Sequence, residues 1–193
     1  LDTFAQRCPP PLAERLTVFE VDQPDTQGWK RRRLRETGHG EPANARYVPV
    51  DFETGQSWVD AIVQAGFDAG APAVVSALGV TQYITESATT GMLRSVAGLA
   101  PGTAFACGFN PPDEEVRADE RLLMDTVLKM VADRGCPWIG RYTAAEFTAL
   151  AAGCGFARTE VVDGTELGRR YFARRPDGLV PIRAESFLLA HVD

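Results

Sequence analysis

Asp22 and Asp51 each close an apolar, strand-like run and stand just ahead of a change in the hydrophobic pattern. The first run, Leu16-Thr17-Val18-Phe19, leads into Glu20 and Asp22; the second is Arg46-Tyr47-Val48-Pro49-Val50. An ionised carboxylate at a strand end offers two oxygens to two adjacent hydroxyl donors, as on a ribose. In open parallel sheets ligands bind beyond the carboxyl ends of the strands, which is where both acids fall. Glu20 shares the side-chain parity of Asp22, because alternate strand residues point to one face. It therefore either competes for such a contact or supports it from behind. Asp51 is placed to accept from an adenine amino group, with Phe52 covering the base. The competing reading makes Asp22 and Asp51 helix caps or solvated strand ends.

The elements that carry these acids follow from hydrophobic period and breaker residues. Strands are predicted over 16–21, 46–50, 73–79, 103–109, 157–162 and 185–192. Helices are predicted over 24–36, 57–67, 85–99 and 113–133, with a fifth from 143 to near Gly153 or Gly155. Pro24 suits a first helical turn and Gly38 a stop. Pro49 confines its strand to an edge or an end. Trp58, Ile62, Val63 and Phe67 share a helical face, as do Met92, Leu93, Val96 and Leu99. Thr143-Ala144-Ala145-Glu146 is a capping-box sequence. Short apolar strands alternating with helices predict an α/β chain with a mostly parallel sheet covered on both faces. The two late strands lack a long helix between them and predict an antiparallel addition at one edge. The whole of 1–193 is read as one domain.

Composition narrows the function classes. The chain of 193 residues carries a net charge of -6, so it has no excess of positive charge to neutralise phosphates, and no nucleic-acid partner is expected. The basic run Lys30-Arg31-Arg32-Arg33 with Arg35 reads as a solvated helix face. Cys8, Cys107, Cys136 and Cys154 are scattered without a CxxC pair, which suits a reducing cytoplasm. With only His39 and His191 beside them, no metal site is expected. Cys107 lies in an apolar run and reads as a small core residue rather than a catalytic thiol. No apolar run reaches the roughly 20 residues of a membrane helix, so no membrane partner is expected.

The motifs together resemble the leucine carboxyl methyltransferase-like family of S-adenosylmethionine-dependent methyltransferases, in particular its actinobacterial-type O-methyltransferases of polyketide or secondary metabolism. The matching segments are "LDT" at 1–3, "VFEVDQP" at 18–24, "KRRRL" at 30–34 and "RYVPVDFE" at 46–53. They continue with "GVTQYIT" at 79–85, "TAAEFTALAAGCGF" at 143–156 and "RRYFARRPDGL" at 169–179. The resemblance implies a Rossmann-like class I methyltransferase sheet with S-adenosyl-L-methionine as cofactor and a small-molecule acceptor. It assigns cofactor contact to Asp2, Asp22, Gln23, Asp51, Phe52, Leu78 and Gly79, and the acceptor side to Tyr83. Many relatives carry a glutamate where this chain has Leu78, and leucine cannot accept a hydrogen bond. The family's first strand, its GxG turn before "LDT" and its N-terminal helices are expected to be missing from the segment given. A chain that truly began at Leu1 would leave a central strand position open, and is expected to be unstable or to form a homodimer by strand exchange.

A carboxylate acceptor needs no base, whereas a hydroxyl acceptor benefits from one. His39 lies in the loop Thr37-Gly38-His39-Gly40-Glu41-Pro42 and His191 near the end of the last strand, and neither is an evident base. The sequence thus favours a carboxyl acceptor, or a base outside the segment. The alternatives are a methyltransferase-like binding or assembly domain without catalysis, and a nicotinamide-dependent oxidoreductase. The latter lacks a Tyr-xxx-Lys pair and GxGxxG.

Overall fold

Alternating strands and helices appear in the computed structural model, which describes residues 2–193 and divides at Ala69–Gly70 into two units. Leu1 of the "LDT" motif lies outside the described residues.

The first unit opens with two single helical turns, α1 (Phe4–Arg7) and α2 (Pro10–Ala13). Next come β1 (Val18–Asp22), α3 (Pro24–Glu36), β2 (Ala45–Pro49) and α4 (Trp58–Gln64). Pro24 occupies the first turn of α3 as expected, where its missing N–H costs nothing. The Gln23 side chain caps that helix by accepting from the Asp25 and Thr26 N–H groups. β1 and β2 run parallel, with Val18 opposite Ala45 and Asp22 opposite Pro49. Pro49 is the last residue of its strand, where the absent donor breaks no interior ladder bond. Ala5, Leu34, Ala45, Val48, Val50, Trp58 and Ile62 are its buried apolar residues among those described. Phe67, just past α4, meets Phe19 of β1 edge to face at 5.5 Å.

The second unit contains β3 (Val74–Ala77), α5 (Glu86–Ala97), β4 (Ala104–Phe109), α6 (Arg121–Asp133), α7 (Ala144–Gly153), β5 (Thr159–Val162), α8 (Gly164–Leu167) and β6 (Ser186–His191). Its strand order is β3-β4-β6-β5. β3 and β4 are parallel, while β6 is antiparallel to both β4 and β5. The antiparallel strand therefore sits one position in from the β5 edge. α7 lays Phe147 on Phe109 of β4 at 4.6 Å, and Phe105 stacks on Phe156 at 5.7 Å. Leu93, Val96, Phe147 and Leu188 are fully enclosed around them.

The capping box of α7 is formed as the sequence predicts: the Glu146 N–H donates to Thr143 Oγ1, and the Thr143 N–H donates to the Glu146 carboxylate. Those backbone and hydroxyl donors hold the Glu146 carboxyl below its usual range. Thr143→Ala is expected to cost about 1 kcal/mol. An unchanged denaturant midpoint would show that the cap contributes nothing.

Two expectations need correction. The helix predicted over 113–133 starts only at Arg121. Asp113–Glu115 makes one tight turn, and Val116 is extended, because its side chain packs into a cluster with Met124 and Ala184. The run over 73–79 was expected to be buried, yet Val74 is 86% exposed and only Ala77 within β3 is buried. Among the described residues β3 pairs on one side only, with β4, which leaves its alternate residues open.

Candidate functional site

Asp22 ends β1, and its Oδ1 accepts from the Gln23 N–H at 2.8 Å. Asp51 follows β2, and its Oδ1 accepts from the Glu53 N–H at 2.9 Å, capping the turn Phe52–Thr54. The capping reading thus holds for one oxygen of each carboxylate. Among the described residues no hydrogen bond engages the other oxygen of either, so both acids keep an acceptor at the carboxyl end of a parallel strand. Gln23 is different, since its Oε1 is taken up by the α3 cap. Asp2 is exposed, and its Oδ1 accepts from the Phe4 N–H. Phe52 is half-buried beside Asp51.

Glu20 is engaged differently from Asp22. Lys30, only 6% exposed, turns inward from the basic run and donates from Nζ to Glu20 Oε2. The same ammonium donates to the Asp2 carbonyl at 2.5 Å. The Gln27 amide, also buried, donates to the Glu20 carbonyl at 2.9 Å. Lys30 therefore pins the segment holding Asp2 to the strand holding Asp22. The rest of the basic run is surface, as expected: Arg31 and Arg35 bond Glu41, and Arg33 bonds Glu36. Tyr47 lies opposite Glu20 in the register. Its phenol is pushed up by burial and then by the Glu20 and Glu41 charges.

In the second unit, Leu78 and Gly79 follow β3. Leu78 is 57% exposed and offers no acceptor. Gly79 has φ +68°, a conformation that a side chain would strain, and the Gln82 amide nitrogen lies 3.8 Å from where its Cβ would stand. Tyr83 is 43% exposed and meets Trp138 edge to face at 6.4 Å, so it is a surface aromatic with a packed edge. Thr81 Oγ1 donates to the Gly108 carbonyl at 2.8 Å and locks this turn onto the end of β4. The Gln82 carbonyl accepts from the N–H groups of Ile139 and Gly140. A Cβ on Gly140 would stand 2.0 Å from the Thr81 carbonyl oxygen, so only glycine fits there.

Sequence reasoning did not single out Glu185, which lies at this strand-end rim. It immediately precedes β6, whose first residue, Ser186, pairs with Phe109 at the last position of β4. Its Oε1 lies 3.5 Å from where a Cβ on Gly108 would stand. The signal that could have found it is topological: the start of an antiparallel strand falls at the same edge as the ends of its parallel neighbours. Cys107, expected as a core residue, is fully buried, and burial pushes its thiol up to about 12. No described helix is long and apolar enough to cross a membrane.

Residues 1–97 match the family model of leucine carboxyl methyltransferase. The chain belongs to the leucine carboxyl methyltransferase family. Similar members include a Bacillus subtilis protein named "Putative S-adenosyl-L-methionine-dependent methyltransferase YktD", 28% identical over 188 residues, which cover 93% of this chain and 58% of that protein. A Mycolicibacterium paratuberculosis protein, also named for S-adenosyl-L-methionine-dependent methyl transfer, is 35% identical over 139 residues, covering 68% of this chain and 43% of that protein. The chain thus spans about half the length of these relatives. Among solved structures, a DUF574 family protein from Streptomyces avermitilis superposes with TM-score 0.56 at 19% identity, over 92% of this chain and 65% of that one. The S-adenosylmethionine-dependent methyltransferase SibL gives 0.52 at 16% identity, over 91% and 43%. At such identities these likenesses establish the fold alone. Asp22 at the end of β1 and Asp51 just after β2 both lie within the matched residues.

Proposed function

We propose that this chain is a single S-adenosyl-L-methionine-binding methyltransferase domain, spanning 1–193, of a cytoplasmic enzyme that methylates an oxygen of a small molecule. The observation that carries the reading is the Asp22 carboxylate, which ends β1 inside the family-matched half with one oxygen still open to a ligand. Within the first unit the residues fit the nucleoside of the cofactor: open carboxylate oxygens on Asp22 and Asp51 suit ribose hydroxyls and an adenine amine. Four unpaired thiols support a reducing compartment.

S-adenosyl-L-methionine, when bound, supplies a methyl group already activated on a sulfonium. The protein's own task is alignment and exclusion of water. Asp22 would orient the ribose through two charge-assisted hydrogen bonds, and Asp51 with Phe52 would frame the base. Asp2, held through its carbonyl by Lys30, and Gln23, fixed as a cap, would shape the wall on the nucleoside side through their backbones. Leu78 supplies only apolar cover. Tyr83 would contact the acceptor.

Calorimetric titration of S-adenosylhomocysteine into the full-length protein tests the reading, with saturable binding expected. No binding would sink it. Leu78 favours a second reading, a methyltransferase-like binding domain without catalysis. Transfer of labelled methyl to any acceptor by the protein that binds S-adenosylhomocysteine separates the two.

A further inference from the structure

In the second unit, α6 buries one face and leaves a second apolar stripe uncovered. Met124 joins Val116 and Ala184 in a buried cluster, and Leu128, Trp138 and Ile182 pack against it. Leu123, Val127 and Met130 recur at i, i+4 and i+7 and so form a separate stripe on the same helix. Leu123 is 55% exposed and Met130 43%, and Val127 is half-buried. Leu122, at the margin of the stripe, is 81% exposed. Single apolar residues in water are ordinary, but a contiguous row of large ones marks an interaction surface.

The charges around the stripe say what fits it. Asp125 and Lys129 lie equally far from Val127, one on either side, on one flank of the stripe. Glu120 at the N-cap and Arg134 at the C-cap are also equally far from Val127. Both pairs are opposite in sign. Two copies of α6 laid antiparallel, with a two-fold axis at Val127, therefore set Asp125 beside Lys129 of the second copy and Glu120 beside Arg134 of the second copy. The symmetry makes each contact twice. Leu123 then meets Met130 of the second copy across the axis, and the helix dipoles oppose each other. Parallel pairing would instead put like charges together. Asp125 and Arg134 have no ion pair of their own among the described residues. Lys129 bonds Asp133 at 2.8 Å on the open helix surface, and the Glu120 carboxylate accepts from the Arg183 N–H.

We propose that the Leu123–Val127–Met130 face of α6 is a homodimer contact, and that its occupant is the same face of a second copy of this chain. All of its residues belong to the second unit, and it is separate from the open edge of β3. It does not depend on the methyltransferase reading. A helix of 13 residues gives a seam only about 20 Å long, so the dimer should dissociate on dilution.

Sedimentation of the full-length protein over a dilution series tests the proposal. The parent should shift between dimer and monomer mass, and Leu123→Glu should stay monomeric without a change in melting temperature. Asp125→Lys and Lys129→Asp should each weaken self-association about tenfold, because attraction on the flank becomes repulsion at both symmetric contacts. An equimolar mixture of those two variants should recover association as a heterodimer, since lysines of one copy then face aspartates of the other. Loss of helix in either variant could not produce that recovery. A parent that is monomeric at every concentration overturns the proposal. So does a Leu123→Glu protein that associates like the parent, which would place the contact elsewhere, such as the β3 edge. A mixture that associates no better than its two components overturns the antiparallel pairing and the proposal with it.

Discussion

Asp22→Ala is expected to weaken S-adenosylhomocysteine binding by about a hundredfold or more. A hydrogen bond to an ionised acceptor is worth about 1.5–3 kcal/mol, and the ribose would lose two of them. Each 1.4 kcal/mol is about tenfold in the dissociation constant. Asp22→Asn keeps one acceptor oxygen of similar shape and should fall between, near tenfold. The fold should tolerate both changes. Asp22 is only partly buried, and its one protein hydrogen bond, to the Gln23 N–H, lies beside a helix cap that Gln23 itself supplies. Losing that bond costs about 1 kcal/mol at most, or roughly 2–4 °C in the melting temperature of a chain this size. Calorimetry and thermal melting on the same samples therefore separate a lost ligand contact from a damaged fold. Equal affinity in parent and variant would remove Asp22 from the nucleoside site.

Much of this was legible in the sequence because the signals are local. Pro24 and the Gln23 cap sit at the start of α3, and the α3 range predicted from breaker residues is the one observed. Asp22 and Asp51 at the ends of their strands needed only the apolar runs that precede them. The capping box at Thr143 is likewise contained in four residues. What stayed hidden depends on tertiary contacts. Lys30 looks like its arginine neighbours in the basic run, and nothing in the period shows that it alone turns inward onto Glu20. The late start of α6 at Arg121 reflects Val116 packing on Ala184, 68 positions further along. Glu185 is separated from Gly79 and Gly108 by long stretches of chain, and only the antiparallel return of β6 brings them to one edge.

Lys30→Met should destabilise the first unit by about 3–5 kcal/mol, because it strands a carboxylate rather than merely deleting a contact. The Glu20 side chain is 12% exposed and that of Lys30 is 7% exposed, so neither has much water to fall back on. Glu20 Oε1 is already buried without a hydrogen bond, which leaves Lys30 as the main compensation for that charge. The Asp2 carbonyl loses its donor in the same variant, so the segment before α1 should loosen as well. Glu20→Leu combined with Lys30→Met removes both charges together, and should recover most of the loss, since a buried pair and an apolar pair of similar volume are often close in stability. Trp29 and Trp58 lie in this unit, so urea unfolding followed by tryptophan fluorescence in a Trp138→Phe background reads it directly. A single variant that unfolds at the parent midpoint would mean that Glu20 finds water or another donor. A double variant no better than Lys30→Met would mean that the ammonium matters for the Asp2 carbonyl, not for Glu20. In that second case the affinity for S-adenosylhomocysteine should fall equally in both variants, which ties the measurement back to the segment that Lys30 holds against β1.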